Sequence, residues 1–296
     1  LLLRTLDSLA EPAIRNRTVV VDNASADGST EEARRLHPEV EVLELDRNLG
    51  FGGALNLATK EVPGDPLIFL NNDVRCEPGF VENLVGALDP ETASVAGVLL
   101  QDDRPELIDS AGVMVEHDTL MAFDYLHGNQ LDALDAAADP LGPCGGAALF
   151  RRQAFEELGG FDERIFVYYE DVDLALRMRV AGHACRLAPE ARALHRQSAT
   201  LGKRSARKYS MTGWSRGYLM RRYGVMRSPG SGTRALLCEA TICSAQIFRD
   251  RTLSGLSGRL RGWIDAGGLP LRPVPEQGLL DLGIGERLRL RAQRRR

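Results

Sequence analysis

Two short acidic segments carry residue types that could do chemistry. Phe69-Leu70-Asn71-Asn72-Asp73 ends an apolar run, and Tyr168-Tyr169-Glu170-Asp171-Val172-Asp173 opens a stretch of helical spacing. A carboxylate and an amide after a buried strand offer hard oxygen ligands. They suit Mg²⁺ or Mn²⁺ when diphosphate and water complete the coordination sphere. A plain Asn/Asp turn would look the same. Glu170-Asp171 also has two readings. Asp171 caps a helix whose dipole Glu170 complements, or Asp171, kept ionised there, serves as a general base. Asp173 projects from another part of the helix, because i and i+2 do not share a face.

Four further segments could contribute. Asp22-Asn23 follows the β-branched run Thr18-Val19-Val20-Val21. Asp22 could accept an N–H from a nucleotide base at the strand end, or residues 22–29 form a turn into a helix capped by Ser29 or Thr30. Arg47-Asn48-Leu49-Gly50-Phe51-Gly52-Gly53 is glycine-rich ahead of a helix, without the G-x-G-x-x-G spacing of a dinucleotide fingerprint. Its glycines permit close approach of an anion to the helix N-terminus, or simply a tight turn. Cys144-Gly145-Gly146-Ala147 lacks bulk, so a ligand or another backbone could lie against it. His195, after the strand-like segment 191–194, is a structural histidine or reaches a metal from outside the acidic loops.

The elements that must position these residues alternate between two periods. Residues 18–21, 40–45, 67–70 and 95–100 read as strands, and 30–36, 53–60 and 80–88 as helices. Such alternation predicts an α/β fold, a Rossmann-like, mostly parallel sheet flanked by helices. Ligands collect at the carboxyl ends of its strands, where Asp22 and Asn71 to Asp73 lie. The segment 112–116 is strand-like, 131–143 is acidic and Ala-rich and reads as an exposed insertion, and 147–150 is a strand. The helix after Asp171 presents Val172, Ala175, Leu176 and Val180 on one face and stops at Gly182. Residues 203–223 read as a basic helix and 233–249 as an amphipathic one, with 255–296 loosely ordered.

Charge is divided along the chain. Residues 201–296 hold 20 Lys/Arg against 6 Asp/Glu, while residues 1–200 hold 17 against 35. The acidic part can hold a divalent cation, and the basic part suits solvent or an anionic surface. No aromatic-studded basic module points to nucleic acid. Five scattered cysteines without a C-x-x-C pair argue against disulfides and zinc and fit a reducing cytoplasm. No apolar run approaches the ~18 residues of a membrane span. The chain opens without Met on a helical pattern, so a preceding strand is expected to be missing.

In order and spacing, residues 21–29, 47–56, 69–74, 144–152, 159–182 and 194–200 resemble the family 2 inverting glycosyltransferases of GT-A fold, rhamnosyltransferase-like subgroup. The resemblance covers about residues 1–225. It implies a GT-A domain over 1–224 and a basic helical extension over 225–296, with the family's first strand ahead of Leu1. It also implies roles by position. Asp171 would be the catalytic base, with Glu170 beside it. Asp73 and Asn71 would stand at the D-x-D place on Mg²⁺ or Mn²⁺, with His195 a further metal or diphosphate contact. Asp22, Asn23, Asn48, Gly52 and Asn72 would surround the nucleotide sugar. The implied donor is dTDP-L-rhamnose or a UDP-sugar, and the acceptor a lipid-linked or cell-envelope glycan. The expected location is cytoplasmic, peripheral at the inner face of the plasma membrane. Rival readings are a sugar-phosphate nucleotidyltransferase, a non-catalytic glycan- or membrane-binding relative and, more distantly, a two-carboxylate glycosidase.

Overall fold

A computed structural model describes residues 1–9, 17–196, 205–283, 285, 286 and 290. Helix α1 (Leu2–Ser8) is followed by strand β1 (Val19–Asp22), helix α2 (Ser29–Leu36), strand β2 (Glu41–Glu44) and helix α3 (Gly50–Glu61). Strands β3 (Leu67–Leu70) and β4 (Val74–Cys76) flank the Asn71-Asn72-Asp73 turn. Helix α4 (Phe80–Gly86) leads into the long strand β5 (Thr92–Gln101), then β6 (Arg104–Ser110), β7 (Val113–Val115) and β8 (Ala122–Asp124). Strand β9 (Ala147–Phe150), helices α5 (Arg152–Glu157) and α6 (Glu170–Val180) and strand β10 (Ala184–His195) complete the sheet. Helices α7 (Ala206–Arg222), α8 (Pro229–Asp250) and α9 (Ser254–Asp265) follow.

The sheet is mixed, not mostly parallel. β1 and β2 pair in parallel, and the larger sheet runs β3-β9-β5-β10-β4 with β6 also on β5. In that larger sheet only β5–β10 is parallel; β3–β9, β9–β5, β5–β6 and β10–β4 are antiparallel. Apolar composition reports that a strand is buried and says nothing of its neighbour's direction. β5 is buried at all ten positions, yet it has a parallel partner on one edge and antiparallel ones on the other. Late strands β9 and β10 insert between early ones, which local periodicity cannot foresee. Among the described residues β1 pairs only β2, and β3 only β9.

Several local expectations shift. α3 begins three residues early, at Gly50, and β10 is far longer than 191–194. Gly28, in the left-handed region, stands at the α2 cap, and Asp27 Oδ1 accepts the Ser29 N–H at 3.1 Å. Val180 is exposed, whereas Val172, Ala175 and Leu176 are buried. Residues 131–136 form a 3₁₀ turn anchored by buried Leu134 against the β5–β6 core, so this insertion is not wholly exposed. Part of the late motif (197–200) and the start of the basic stretch (203–204) lie outside the described residues.

Residues 255–265 lie in a packed helix where loose structure was expected. α9 lies against α7 with side chains all but removed from the contact. A Cβ on Gly217 would stand 2.0 Å from the Arg259 carbonyl oxygen, and one on Gly262 1.9 Å from that of Trp214. Buried Glu239 on α8 accepts from Arg216 of α7 at 2.7 Å and from Arg259 of α9 at 2.5 Å. Glycine and arginine are poor signals of a packed helix, which is why composition misleads here. Gly217→Ala should destabilise the protein by about 1–3 kcal/mol, since backbone rather than a side chain must yield. Gly230→Ala, at a position open on all sides, should change stability by less than about 0.5 kcal/mol. Urea unfolding of both variants checks this, and equal midpoints would refute the close contact.

Candidate active site

The Asn71-Asn72-Asp73 turn is held from three directions. The Asn71 N–H donates to Gly146 O at 3.2 Å, and the Arg196 N–H to Asp73 O at 3.0 Å. Thr5 Oγ1 of α1 lies 3.0 Å from Asn72 O and 2.6 Å from Val74 O, so the opening helix clamps the turn from below. β10 pairs antiparallel with β4, setting His195 opposite Val74 and bringing His195 Nε2 to 3.5 Å from Asp73 Oδ1. That oxygen is buried and accepts no hydrogen bond. On its other side, His195 Nδ1 lies 2.6 Å from Asp109 Oδ2 on β6.

Asp109 is a residue that sequence reasoning missed; nothing around it suggests chemistry until β6 is laid on β5. It also meets His127, whose Nδ1 stands 2.7 Å from the Asp109 carbonyl oxygen. Burial opposes ionisation of Asp109, but the two imidazoles outweigh it and hold the carboxyl well below its usual range. For His195, burial opposes protonation, yet Asp109 and Asp73 together push its pKa up to about 9, so a cation that takes Nε2 as ligand must displace a proton. A carboxylate with one orphaned buried oxygen, facing an imidazole whose far nitrogen is tethered, fits a divalent cation. Among the described residues no group of three or more His, Cys, Asp or Glu could hold a metal alone. Asp73 and His195 therefore suit an ion that takes its remaining ligands from phosphate and water, while Asn71 turns its Nδ2 toward Gly146.

Helix α6 brings up the second acidic segment. Asp171 is not its cap: Tyr169 occupies that place, and Asp171 is the second helical residue. Asp171 Oδ2 accepts the Gly145 N–H at 3.1 Å, and Oδ1 lies 2.8 Å from the Val172 amide nitrogen. Gly145 and Gly146 thus join the two segments, one glycine bonded to Asp171 and the next to Asn71. A Cβ on Gly145 would lie 3.7 Å from Asp171 Oδ2 and 3.4 Å from the Phe51 ring, inside the space between them. Cys144, next to this pair and partly buried, has its thiol pKa pushed up by burial and by the Asp171 charge.

Tyr168 and Tyr169 both hold left-handed backbone, at φ 68° and 72°. Two such non-glycine residues in succession are sparsely populated and must be held by their surroundings. Tyr169 is buried, with the Arg216 guanidinium 5.8 Å from its ring centre, and Lys208 Nζ lies 5.5 Å from that of Tyr168. Phe166 is exposed. Asp173, in contrast, turns into the core.

Of the predicted nucleotide residues, Asn23 and Asn48 form a linked group with Leu49 and Gly50, whereas Asn72 stands apart on the Asn71–Asp73 turn. Asn23 Nδ2 donates to Gly50 O at 2.9 Å, the Leu49 N–H donates to Asn23 Oδ1 at 2.7 Å, and the Gly50 N–H donates to Asn48 Oδ1 at 2.9 Å. Gly50 has φ +77°, and a Cβ there would meet Phe166 O at 2.3 Å, so the glycine is demanded twice over. Gly52 abuts Phe161, where a Cβ would stand 2.6 Å from the ring-bearing carbon. Asp22, partly buried at the end of β1, accepts the Ser25 N–H at 3.1 Å.

Glu170 is buried with Oε2 unpartnered, and burial together with neighbouring Asp171 raises its pKa to about 8. A carboxyl whose folded pKa lies above its unfolded value stabilises the fold below pH ~4.5, and that stability is lost as pH rises through about 8. Wild-type protein should therefore lose stability between pH 5 and 8 relative to Glu170→Gln, by on the order of 1 kcal/mol or more. Parallel thermal melts of the two proteins across that range would reveal it; superimposable pH profiles would refute a protonated Glu170.

Sequence and fold comparisons identify the family and the architecture. Residues 1–159 match the family described as glycosyl transferase family 2. The chain is 32% identical over 224 residues to an N-acetylglucosaminyl-diphospho-decaprenol L-rhamnosyltransferase of Mycobacterium tuberculosis, covering 68% of this chain and 73% of that one. It is 26% identical over 202 residues to the O-antigen chain rhamnosyltransferase RfbN of Salmonella typhimurium, covering 66% and 62%. The mannosyltransferase PcManGT of Pyrobaculum calidifontis, solved with GDP-Man and Mn²⁺, superposes at TM-score 0.53 and 17% identity over 90% of this chain and 82% of that one. GalNAc-T7, solved with UDP, GalNAc and Mn²⁺, superposes at 0.60 and 16% over 88% and 51%. The architecture is therefore the α/β fold of these glycosyltransferases, and the chain belongs to glycosyl transferase family 2.

Proposed function

We propose that this enzyme moves a sugar, with inversion, from a nucleoside-diphosphate donor to a hydroxyl of a lipid-linked or cell-envelope glycan. The observation that carries the reading is the Gly145-Gly146 pair, bonded to Asp171 at one residue and Asn71 at the next. It sets a basic oxygen and a metal-binding turn on either side of a segment without side chains. Rhamnosyltransferase relatives support dTDP-L-rhamnose as donor, with UDP-sugars next, and a lipid-linked acceptor.

In this mechanism Asp171 takes the acceptor hydroxyl proton as oxygen attacks the anomeric carbon, and the Gly145 N–H keeps the carboxylate aimed into the cleft. Asp73, Asn71 and His195 hold Mg²⁺ or Mn²⁺, which when bound offsets negative charge growing on the departing diphosphate. Asp109 fixes the His195 ring so that Nε2 faces Asp73. Asp22, Asn23, Asn48, Gly52 and Asn72 line the nucleotide side. Protonated Glu170 beside Asp171 avoids a second negative charge at the base. One displacement inverts the anomeric centre.

We assign catalysis to residues 1–224 and treat 225–296 as an extension at the cytoplasmic face of the plasma membrane.

Asp171→Asn is expected to lower transfer by about 10²–10⁴-fold while leaving nucleotide-sugar affinity within about twofold by calorimetry; normal turnover would remove Asp171 as the base. Asp73→Ala should abolish the gain in donor affinity that Mn²⁺ confers on the parent protein. Unchanged metal dependence in that titration would dismiss Asp73 as a ligand.

A further inference from the structure

The exposed side of α8 and α9 carries apolar side chains that the fold does not use. Phe248 is 84% exposed, Leu253 61%, Leu260 59% and Ile264 68%. On α9, Leu256, Leu260 and Ile264 recur every four residues and so form one stripe. The other face of that helix is spent: Gly258 and Gly262 lie against α7 backbone, and Arg259 is buried on Glu239. Phe248 and Leu253 bracket the α8–α9 turn, with Arg249 and Arg251 exposed between them.

Arginine outnumbers carboxylate around this stripe. Of the acidic side chains of the two helices, Glu239 is buried on Arg216 and Arg259, Asp250 is half-buried with the Tyr209 hydroxyl at 2.7 Å, and Asp265, exposed beside Ile264, accepts from Trp214 Nε1 at 2.6 Å. Exposed Arg249, Arg251 and Arg261 remain beside the apolar side chains. Apolar side chains among three exposed arginines, with one exposed carboxylate at the far end of α9, complement a surface with a hydrocarbon interior and an anionic face. A second copy of the same patch would bring these arginines toward one another. No helix among the described residues is long and apolar enough to cross a membrane, so the contact is one of lying on the surface.

We infer that the α8–α9 face, from Phe248 through Leu253 to Leu260 and Ile264 with Arg249, Arg251 and Arg261, docks the enzyme on an anionic lipid bilayer. This deepens the proposed use of a lipid-linked acceptor and rests on that reading for its purpose, though not for its geometry. Phe248, Leu253 and Leu260 enter the headgroup layer while the arginines meet lipid phosphates.

The test is co-sedimentation of the full chain with phosphatidylcholine vesicles and with vesicles containing one-third phosphatidylglycerol. Donor hydrolysis and transfer to a water-soluble acceptor are measured on the same proteins. The parent chain should pellet with anionic vesicles at least tenfold more than with neutral ones. The pair Phe248→Ser and Leu260→Ser, and separately Arg249→Glu with Arg251→Glu, should each reduce pelleting at least fivefold, with hydrolysis and soluble transfer unchanged. Absent or lipid-independent pelleting with normal transfer overturns the docking surface and leaves the enzymatic reading intact. Anionic pelleting without nucleotide-sugar turnover would instead count against the enzymatic reading alone. A dimer that the serine pair converts to a monomer in analytical ultracentrifugation, without loss of vesicle binding, would reassign the face to a second copy.

Discussion

The Asp173 carboxylate is the interaction on which the arrangement rests. It is fully buried, and it is neutralised from three directions. Arg177 reaches it from the next turn of α6 at 2.8 Å, the Tyr223 hydroxyl from the end of α7 at 2.9 Å, and Arg272 from the segment beyond α9. Arg177 also donates to the carbonyls of Leu158 and Gly160, and Arg272 to Asp162. One buried charge thus ties α6 to the loop before it and to the far end of the chain. Leaving such a charge without a partner costs about 3–5 kcal/mol, which is a large part of the stability of a typical domain.

The same helix explains why two aspartates two residues apart do different things. Asp173 faces inward and is saturated with donors. Asp171, rotated around the axis, reaches the backbone of Gly145 at the rim of the cleft. Glu170 sits between these settings, buried yet without the guanidinium that would keep it ionised. Position on the helix, which the left-handed Tyr168-Tyr169 pair opens, separates the saturated core carboxylate of Asp173 from buried Glu170 and from Asp171 at the Gly145 backbone.

Much of this was legible in the sequence, for identifiable reasons. The strands at 18–21, 67–70, 95–100 and 147–150 were visible because each is a short apolar run bounded by turn formers. Asn71, Asp73 and Asp171 could be singled out because acidic turns after apolar runs are chemically distinctive. Strand direction, the place of β9 and β10 and the role of Asp109 were not legible, because each depends on pairing between distant segments. The basic C-terminal region misled most. Its excess of arginine suited solvent or an anionic surface, whereas Arg216, Arg222 and Arg259 are buried and Arg272 answers the carboxylates of Asp162 and Asp173. A count of charge cannot distinguish a guanidinium that faces water from one that neutralises the interior.

The Arg216–Tyr169 contact has a bearing on how sequence change is felt. Arg216 reads α8 through Glu239, grips the Thr119 and Leu120 carbonyls at 3.0 and 2.6 Å, and overlies the ring that starts α6. Drift in the last helices can therefore shift the start of α6 without touching either acidic segment. Homologues that differ chiefly beyond α7 would then differ in the tilt of α6 while keeping Asp73 and Asp171 identical.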